Sequence, residues 1–300
     1  MSFSTNNFLF DAVFRTPSLD AFAVEDPTLL NPQKLGGENL NSPVILSVPH
    51  GGNFYPAKMV EYADLKEMRT LEDVGSDIII FPLIDLEQCA IIANCSRAII
   101  DVNRPETALD PKLLSNADNR NDPIPKNRWQ RYINSGYGVT PRLSSRRNPL
   151  YKKALPMSAI QERINYWHKP YHQLISQTVS QAQKLFTKTL LLDIHSMPQS
   201  SPKLPDIVIG NFNGLSASME FTNLIIKVIN QFGFTFSINK PYAGGFITEC
   251  HGKPNENRHA VQIEINRDLY LKENYTISSE AVSKLTDFIE KIIKSVSLIC

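Results

Sequence analysis

Cysteine is scarce in this chain: four in 300 residues, at positions 89, 95, 250 and 300, with no C-x-x-C pair. That spacing excludes a disulfide framework and a cysteine-rich zinc module. The thiols are expected to be reduced, as in a cytoplasmic protein. Charge of one sign is missing too: 31 Lys and Arg stand against 30 Asp and Glu, a net charge of +1. No global field therefore favours nucleic acid or a membrane surface as partner. No apolar stretch reaches the ~18 residues of a spanning helix. The first residues, Met-Ser-Phe-Ser-Thr-Asn-Asn, lack the basic start and apolar stretch of a secretory signal, which again predicts a cytoplasmic protein. Internal repeats and low-complexity tracts are absent. What is present is 42% hydrophobic and 20% charged residues, ordinary for a globular enzyme.

Apolar runs alternate with helical patterns. Strands are predicted at 43–49, 90–94, 98–103, 189–194, 205–211, 234–239 and 260–266. Runs such as Val44-Ile-Leu-Ser-Val and Leu190-Leu-Leu-Asp-Ile read as strands covered on both faces. Residues 56–68 have helix-compatible composition, and 71–83 are expected to be a loop opening a helix. A helix is predicted over 157–186, with Pro170 as a kink or break. Further helices are expected at 216–232, ending near Gly233, and at 277–297. This order predicts one domain, 1–300, of three-layer α/β/α class with a mixed, mainly parallel sheet. Residues 1–40 are expected to be irregular, and 105–150 a polar insertion.

Two histidines lie just behind strand-like runs. His50 precedes Gly51 and Gly52, which let the backbone turn sharply. His195 follows Asp193 by two residues, so on a strand both point the same way. Such positions are where open α/β sheets place their sites. A carboxylate beside a ligating histidine fixes its tautomer, though a buried Asp–His hydrogen bond without metal would look the same. Glu72 and Asp73 are adjacent acids that either cap a helix or supply a ligand. Glu264, flanked by Ile263 and Ile265, is either an exposed strand residue or a general base. Arg104 suits a carboxylate clamp or an ion pair with Asp101; Arg97 and Arg142 carry the same alternatives. Arg267 and Asp268 are candidate ion-paired supports. His168 and His172 have a metal-compatible spacing without the H-E-x-x-H pattern, and their aromatic neighbours favour packing. His251 and His259 flank a loop.

The motifs Ser47-Val-Pro-His-Gly-Gly, Leu71-Glu-Asp with Asp77, Asp101-Val-Asn-Arg-Pro, Gly136-Tyr-Gly-Val-Thr-Pro-Arg, Pro170-Tyr-His, Asp193-Ile-His-Ser-Met-Pro, Gly244-Gly-Phe-Ile-Thr and Gln262-Ile-Glu-Ile-Asn-Arg together resemble the N-formylglutamate amidohydrolases. They run in order from about 43 to 270. The resemblance implies a phosphorylase/hydrolase-like fold and one Zn2+ held by His50, His195 and Asp73, with Glu72 as the alternative acid. It implies Glu264 as the catalytic carboxylate and a small N-acyl amino acid as substrate, N-formyl-L-glutamate first. Arg104 and Arg142 are expected to hold a substrate carboxylate, and Gly244 and Gly245 to offer backbone contacts. The rival readings are a zinc amidase of another N-acyl amino acid or of cell-wall peptides, and a non-catalytic binding protein on the same fold.

Overall fold

The computed structural model describes residues 23–115, 128–198, 204–272 and 276–300. Nine strands are described: β1 (Ala23–Val24), β2 (Gln33–Leu35), β3 (Val44–Val48), β4 (Tyr55–Pro56), β5 (Ala90–Ile92), β6 (Thr189–Met197), β7 (Ile207–Gly210), β8 (Phe236–Ile238) and β9 (Arg258–Asn266). Seven form one sheet in the order β2-β5-β3-β6-β9-β7-β8, and β1 pairs with β4. The β5, β3, β6 and β9 strands are mutually parallel, as are β7 and β8, while β2–β5 and β7–β9 are antiparallel. The described helices are α1 (Leu65–Met68), α2 (Phe81–Asp85), α3 (Gln130–Asn134), α4 (Met157–Arg163), α5 (Lys169–Ala182), α6 (Met219–Phe232), α7 (Phe246–His251) and α8 (Ser279–Ser297). The sheet is mixed and mainly parallel, with helices on both faces, as the alternation of runs predicts.

Side-chain alternation divides the core. Leu46, Leu192 and Ile263 join one cluster with Phe221 and Ile225 of α6, Phe288 and Ile292 of α8, and Leu83 of α2. Ile45, Leu191 and Ala260 face the other way, onto Tyr171, Ile175 and Val179 of α5 and Ile247 of α7. On this second face the apolar pattern stops toward the carboxyl ends of the central strands. Ser47, Asp193, His195, Gln262 and Glu264 stand there instead, all buried. Buried polar groups need partners, so this corner is either a hydrogen-bonded knot or a site.

Several elements differ from expectation. The segment 98–103 is not a strand: it turns, and Ile99 and Ile100 enter a satellite cluster with Leu113, Trp129 and Ile133. The β-branched pair satisfies that cluster rather than a ladder. The 105–150 stretch is polar in composition, yet its described part contains α3 and supplies much of that second core; residues 116–127 lie outside the described residues. Of the segment 1–40, residues 1–22 also lie outside them. The rest is not merely irregular, because β2 covers the edge of β5. The chain stays helical from 157 to 182 through a π turn, Ile164–His168. Pro170 follows that π turn by two residues, and the widened turn accommodates a residue that has no N–H to give to the preceding carbonyls. The irregularity lies one step earlier, in the π turn.

The Gly51-Gly52 pair is explained by crowding. After β3 the chain is drawn against the segment after β5 by Ala93 N donating to Val48 O and Phe54 N to Asn94 O. A β-carbon at Gly52 would lie 2.2 Å from Ala93 O, and one at Gly51 2.9 Å from the Asp77 β-carbon. Gly52→Ala is therefore expected to lower the urea midpoint at unchanged m-value, by about 1–3 kcal/mol of strain. An unchanged midpoint would show that the two segments do not approach this closely.

Candidate metal centre

Three side chains from distant parts of the chain converge at the carboxyl edge of β3 and β6. His50 follows β3, His195 lies on β6, and Asp73 follows a short 3-10 turn, Arg69–Leu71. Asp73 N donates to His50 O, which brings that loop to the strand end. Asp73 Oδ2 lies 3.1 Å from His195 Nδ1 and 3.4 Å from His50 Nδ1. The two rings meet edge to face with centroids 4.7 Å apart. All three residues are buried.

Each imidazole is backed by a second carboxylate at its far nitrogen. His50 Nε2 lies 2.8 Å from Asp101 Oδ1, and His195 Nε2 lies 3.0 Å from Asp193 Oδ2. Carboxylates accept only, so both Nε2 atoms carry hydrogen, and each Nδ1 turns toward Asp73. Asp193 is itself oriented: Ser47 donates to its Oδ1 at 2.7 Å, and Tyr171 stands 2.8 Å behind Ser47. Because the Ser47 proton goes to Asp193, the Tyr171 hydroxyl donates to Ser47. Asp101 also accepts from Arg97 at 2.9 Å.

The electrostatics follow from this clustering. Burial would push Asp73 up, but the hydrogen bond from His195, the adjacent His50 imidazole and the Arg97 charge hold it well below the usual carboxylate range. Burial likewise opposes ionisation of Asp101, and Arg97, His50 and Arg104 overcome it. Burial would drive His195 down; Asp193 and Asp73 instead hold it well above 6.5. Without an ion, then, a proton on His195 offsets the flanking carboxylates. A divalent cation would replace that proton.

The donors fit such a cation. His50 Nδ1 is fully buried and has no hydrogen-bond partner, a costly state for an imidazole nitrogen. His50, Asp73 and His195 can each offer an atom within 4.8 Å of the others'. Two imidazoles, one carboxylate and an open position suit zinc, and the carboxylate behind each imidazole is the usual support for a metal ligand.

The structure separates the two competing acids. Glu72 turns away to accept from Tyr55 Oη at 2.5 Å and face Arg69 Nε at 3.7 Å. Burial there raises it to about 7. Glu264 pairs across the ladder with His195, and Gln262 with Asp193. Gln262 Nε2 donates to Glu264 Oε1 at 2.7 Å. Burial raises Glu264 to about 7, with the His195 charge acting in the opposite direction. Arg104 is nearly buried, stacked 4.4 Å from the Tyr132 ring centroid, with one guanidinium N–H on Asn103 O. Its Nε stands 3.9 Å from Asp101. Arg142 donates Nε to Asp110 at 2.8 Å and so anchors the insertion. Gly245 spends its N–H on Gln262 Oε1, and a β-carbon there would strike Asn103 Oδ1 at 2.1 Å. Arg267 donates to Asp73 Oδ1, Glu72 O and Ser196 O, as a support should.

The supporting roles of Ser47, Tyr171, Asp101 and Asn103 escape sequence reasoning. Ser47 and Asp101 are polar residues inside apolar runs, and that was the available signal. Tyr242, half-buried, also feels Glu264 and Asp73: burial and those charges raise it above 10. Of the remaining histidines, His168, His172 and His251 form a separate group. His168 Nε2 donates to Arg104 O and His172 Nε2 to Val102 O. His259 Nδ1 instead accepts from Ser218 N.

Fold and centre define an α/β protein with a buried polar cluster at the carboxyl ends of three adjacent strands. The chain belongs to the N-formylglutamate amidohydrolase family, whose pattern matches residues 42–271; it is a hydrolase of amide bonds. It is 29% identical over 246 residues to an N-formylglutamate deformylase of Pseudomonas putida, spanning 77% of this chain and 82% of that one. A deformylase of Pseudomonas aeruginosa is 29% identical over the same length, spanning 77% and 83%. The fold resembles the crystal structure of N-formylglutamate amidohydrolase from Ralstonia eutropha JMP134, with TM-score 0.78 and 26% identity over 90% of this chain and 98% of that one. A protein of Agrobacterium tumefaciens shares the fold at TM-score 0.67 and 18% identity, over 93% of this chain and 99% of that one. No described helix is long and apolar enough to cross a membrane.

If Asp193 orients His195 as a ligand, Asp193→Asn weakens zinc affinity by about 10–100-fold while far-ultraviolet dichroism is unchanged. Competition with a chromophoric chelator measures this. Equal affinities in the two proteins would remove Asp193 from the centre.

Proposed function

We propose that this chain hydrolyses N-formyl-L-glutamate to formate and glutamate with one zinc ion held by His50, Asp73 and His195. The observation that carries the reading is the unpartnered, buried Nδ1 of His50 facing Asp73 and His195, with Glu264 one strand away. The names of the Pseudomonas relatives and of the family supply the substrate. Zinc, when bound, supplies Lewis acidity that polarises the scissile carbonyl and acidifies water.

The chain's own residues do the rest. Glu264 takes a proton from the attacking water and delivers it to the leaving nitrogen, so that glutamate departs as the free amine. Its position in a dry corner raises its basicity, which suits a group that must both accept and return a proton near neutrality. Arg104, rigid over Tyr132 and Trp129, holds a substrate carboxylate; its guanidinium retains N–H groups beyond the one spent on Asn103. Arg142 is already paired with Asp110, so its contribution is to fix the insertion beside the site. Gly244 and Gly245 shape the wall. Gly244 has φ 114°, and its small neighbour lets the loop approach Asn103.

Glu264→Gln is expected to retain zinc and lose at least about 100-fold in kcat, the ordinary worth of a general base. Turnover within a factor of two would remove Glu264 from that role. Formate release should rise with pH as Glu264 ionises and then level off. Its acid limb lies at or below about 7, because a bound cation favours the carboxylate further. A limb that survives unchanged in Glu264→Gln would assign the titration elsewhere.

A further inference from the structure

A second cluster of donor atoms stands apart from the centre, where α5 meets α7. His172 Nδ1, His251 Nε2 and the Cys250 sulfur all lie within 4.8 Å of one another. The His172 and His251 rings are stacked 13° from parallel, with centroids 5.2 Å apart. We propose that His172 Nδ1, His251 Nε2 and Cys250 Sγ form a second metal site, for a borderline or soft divalent transition metal such as zinc.

Three features of the cluster argue for a ligand. First, the tautomer of His172 is set from outside: its Nε2 donates to Val102 O at 2.8 Å, which leaves the Nδ1 lone pair aimed at His251. A backbone carbonyl behind the far nitrogen is the support that ligating histidines use. Second, His172 Nδ1 and His251 Nε2 are 2.8 Å apart. In the ion's absence they share one proton. Tetrahedral zinc separates two such nitrogens by about 3.3 Å, so the rings need to open by only about 0.5 Å. Third, the group contains sulfur. A thiolate with two imidazoles selects zinc-like ions against magnesium or calcium. Cys250 is exposed, so an ion can reach the sulfur from solvent.

Binding releases the thiol proton to solvent, and the shared ring proton moves to His251 Nδ1, so that both imidazoles ligate as neutral groups. The ion would then clamp α5 to α7. Phe246 N and Ile247 N at the start of α7 donate to Asn103 O and Oδ1, and His172 holds Val102. The clamp therefore closes around the segment that carries Asp101 and Asn103, behind the first centre.

Cobalt separates the two sites, because only a cysteine ligand gives a thiolate-to-cobalt charge-transfer band and the His50–Asp73–His195 centre contains no sulfur. The full chain is titrated with Co2+ alone, and metal content is measured in parallel. The wild type is expected to develop the band and to bind about two ions per chain; Cys250→Ser is expected to lack the band and to bind about one. Cys300→Ser keeps both. His251→Asn shifts the midpoint of the band by at least about tenfold. The proposal is overturned if saturating Co2+ gives no thiolate band in the wild type, if the band survives in Cys250→Ser, or if His251→Asn leaves its midpoint unchanged. Each result is independent of which amide the enzyme cleaves.

Discussion

Negative charge concentrated out of water is the constraint around which this molecule is organised. Asp73, Asp101 and Asp193 crowd two imidazoles in a corner where none of the three carboxylates is more than 4% exposed. Such a group is costly to hold unless cations meet it. Arg97 and Arg267 approach Asp73 and Asp101, a proton on His195 offsets more of the charge, and the three donor atoms within 4.8 Å of one another suit an ion. The same crowding accounts for Glu264. With Asp73 already ionised nearby, and little water, its carboxyl is the group that gives way and keeps its proton to about 7.

How much of this was readable in the linear chain depended on the kind of signal. The three strands that carry the centre were legible because their runs are long, apolar and β-branched or leucine-rich. His195 with Asp193 was legible because a strand places alternate residues on one side. The choice between Glu72 and Asp73 was not, since adjacent acids have the same sequence context. It is made by Tyr55, a residue seventeen positions away that takes Glu72 for itself. Distance in the chain hid Ser47, whose bonds to Asp193 and to Tyr171 each span more than a hundred residues. Ile99 and Ile100 misled in the other direction: a β-branched pair is read as strand, and here it fills a satellite core that the 105–150 stretch helps to build.

The matched family pattern ends at residue 271, but the core does not. Phe288, Ile289 and Ile292 of α8 are fully buried beneath the sheet, and Thr286 donates to Ile79 O in the loop that begins at Asp73. The last helix thus buttresses, from the apolar face, the loop that delivers an acid to the polar face. Residues outside the recognisable motifs fix the positions of residues within them.

Strand β9 is the last to be made in the sheet, yet it lies between β6 and β7. Until residue 266 has left the ribosome, the earlier strands form two separate pieces with no ladder joining them. Glu264 arrives with the strand that unites them, opposite His195 by ladder register. Nascent chains too short to include it already carry His50, Asp73 and His195 on the β3–β6 side, but not Glu264. The basic carboxylate is thus the last part of this corner to be made, and only the buttress of α8 follows it.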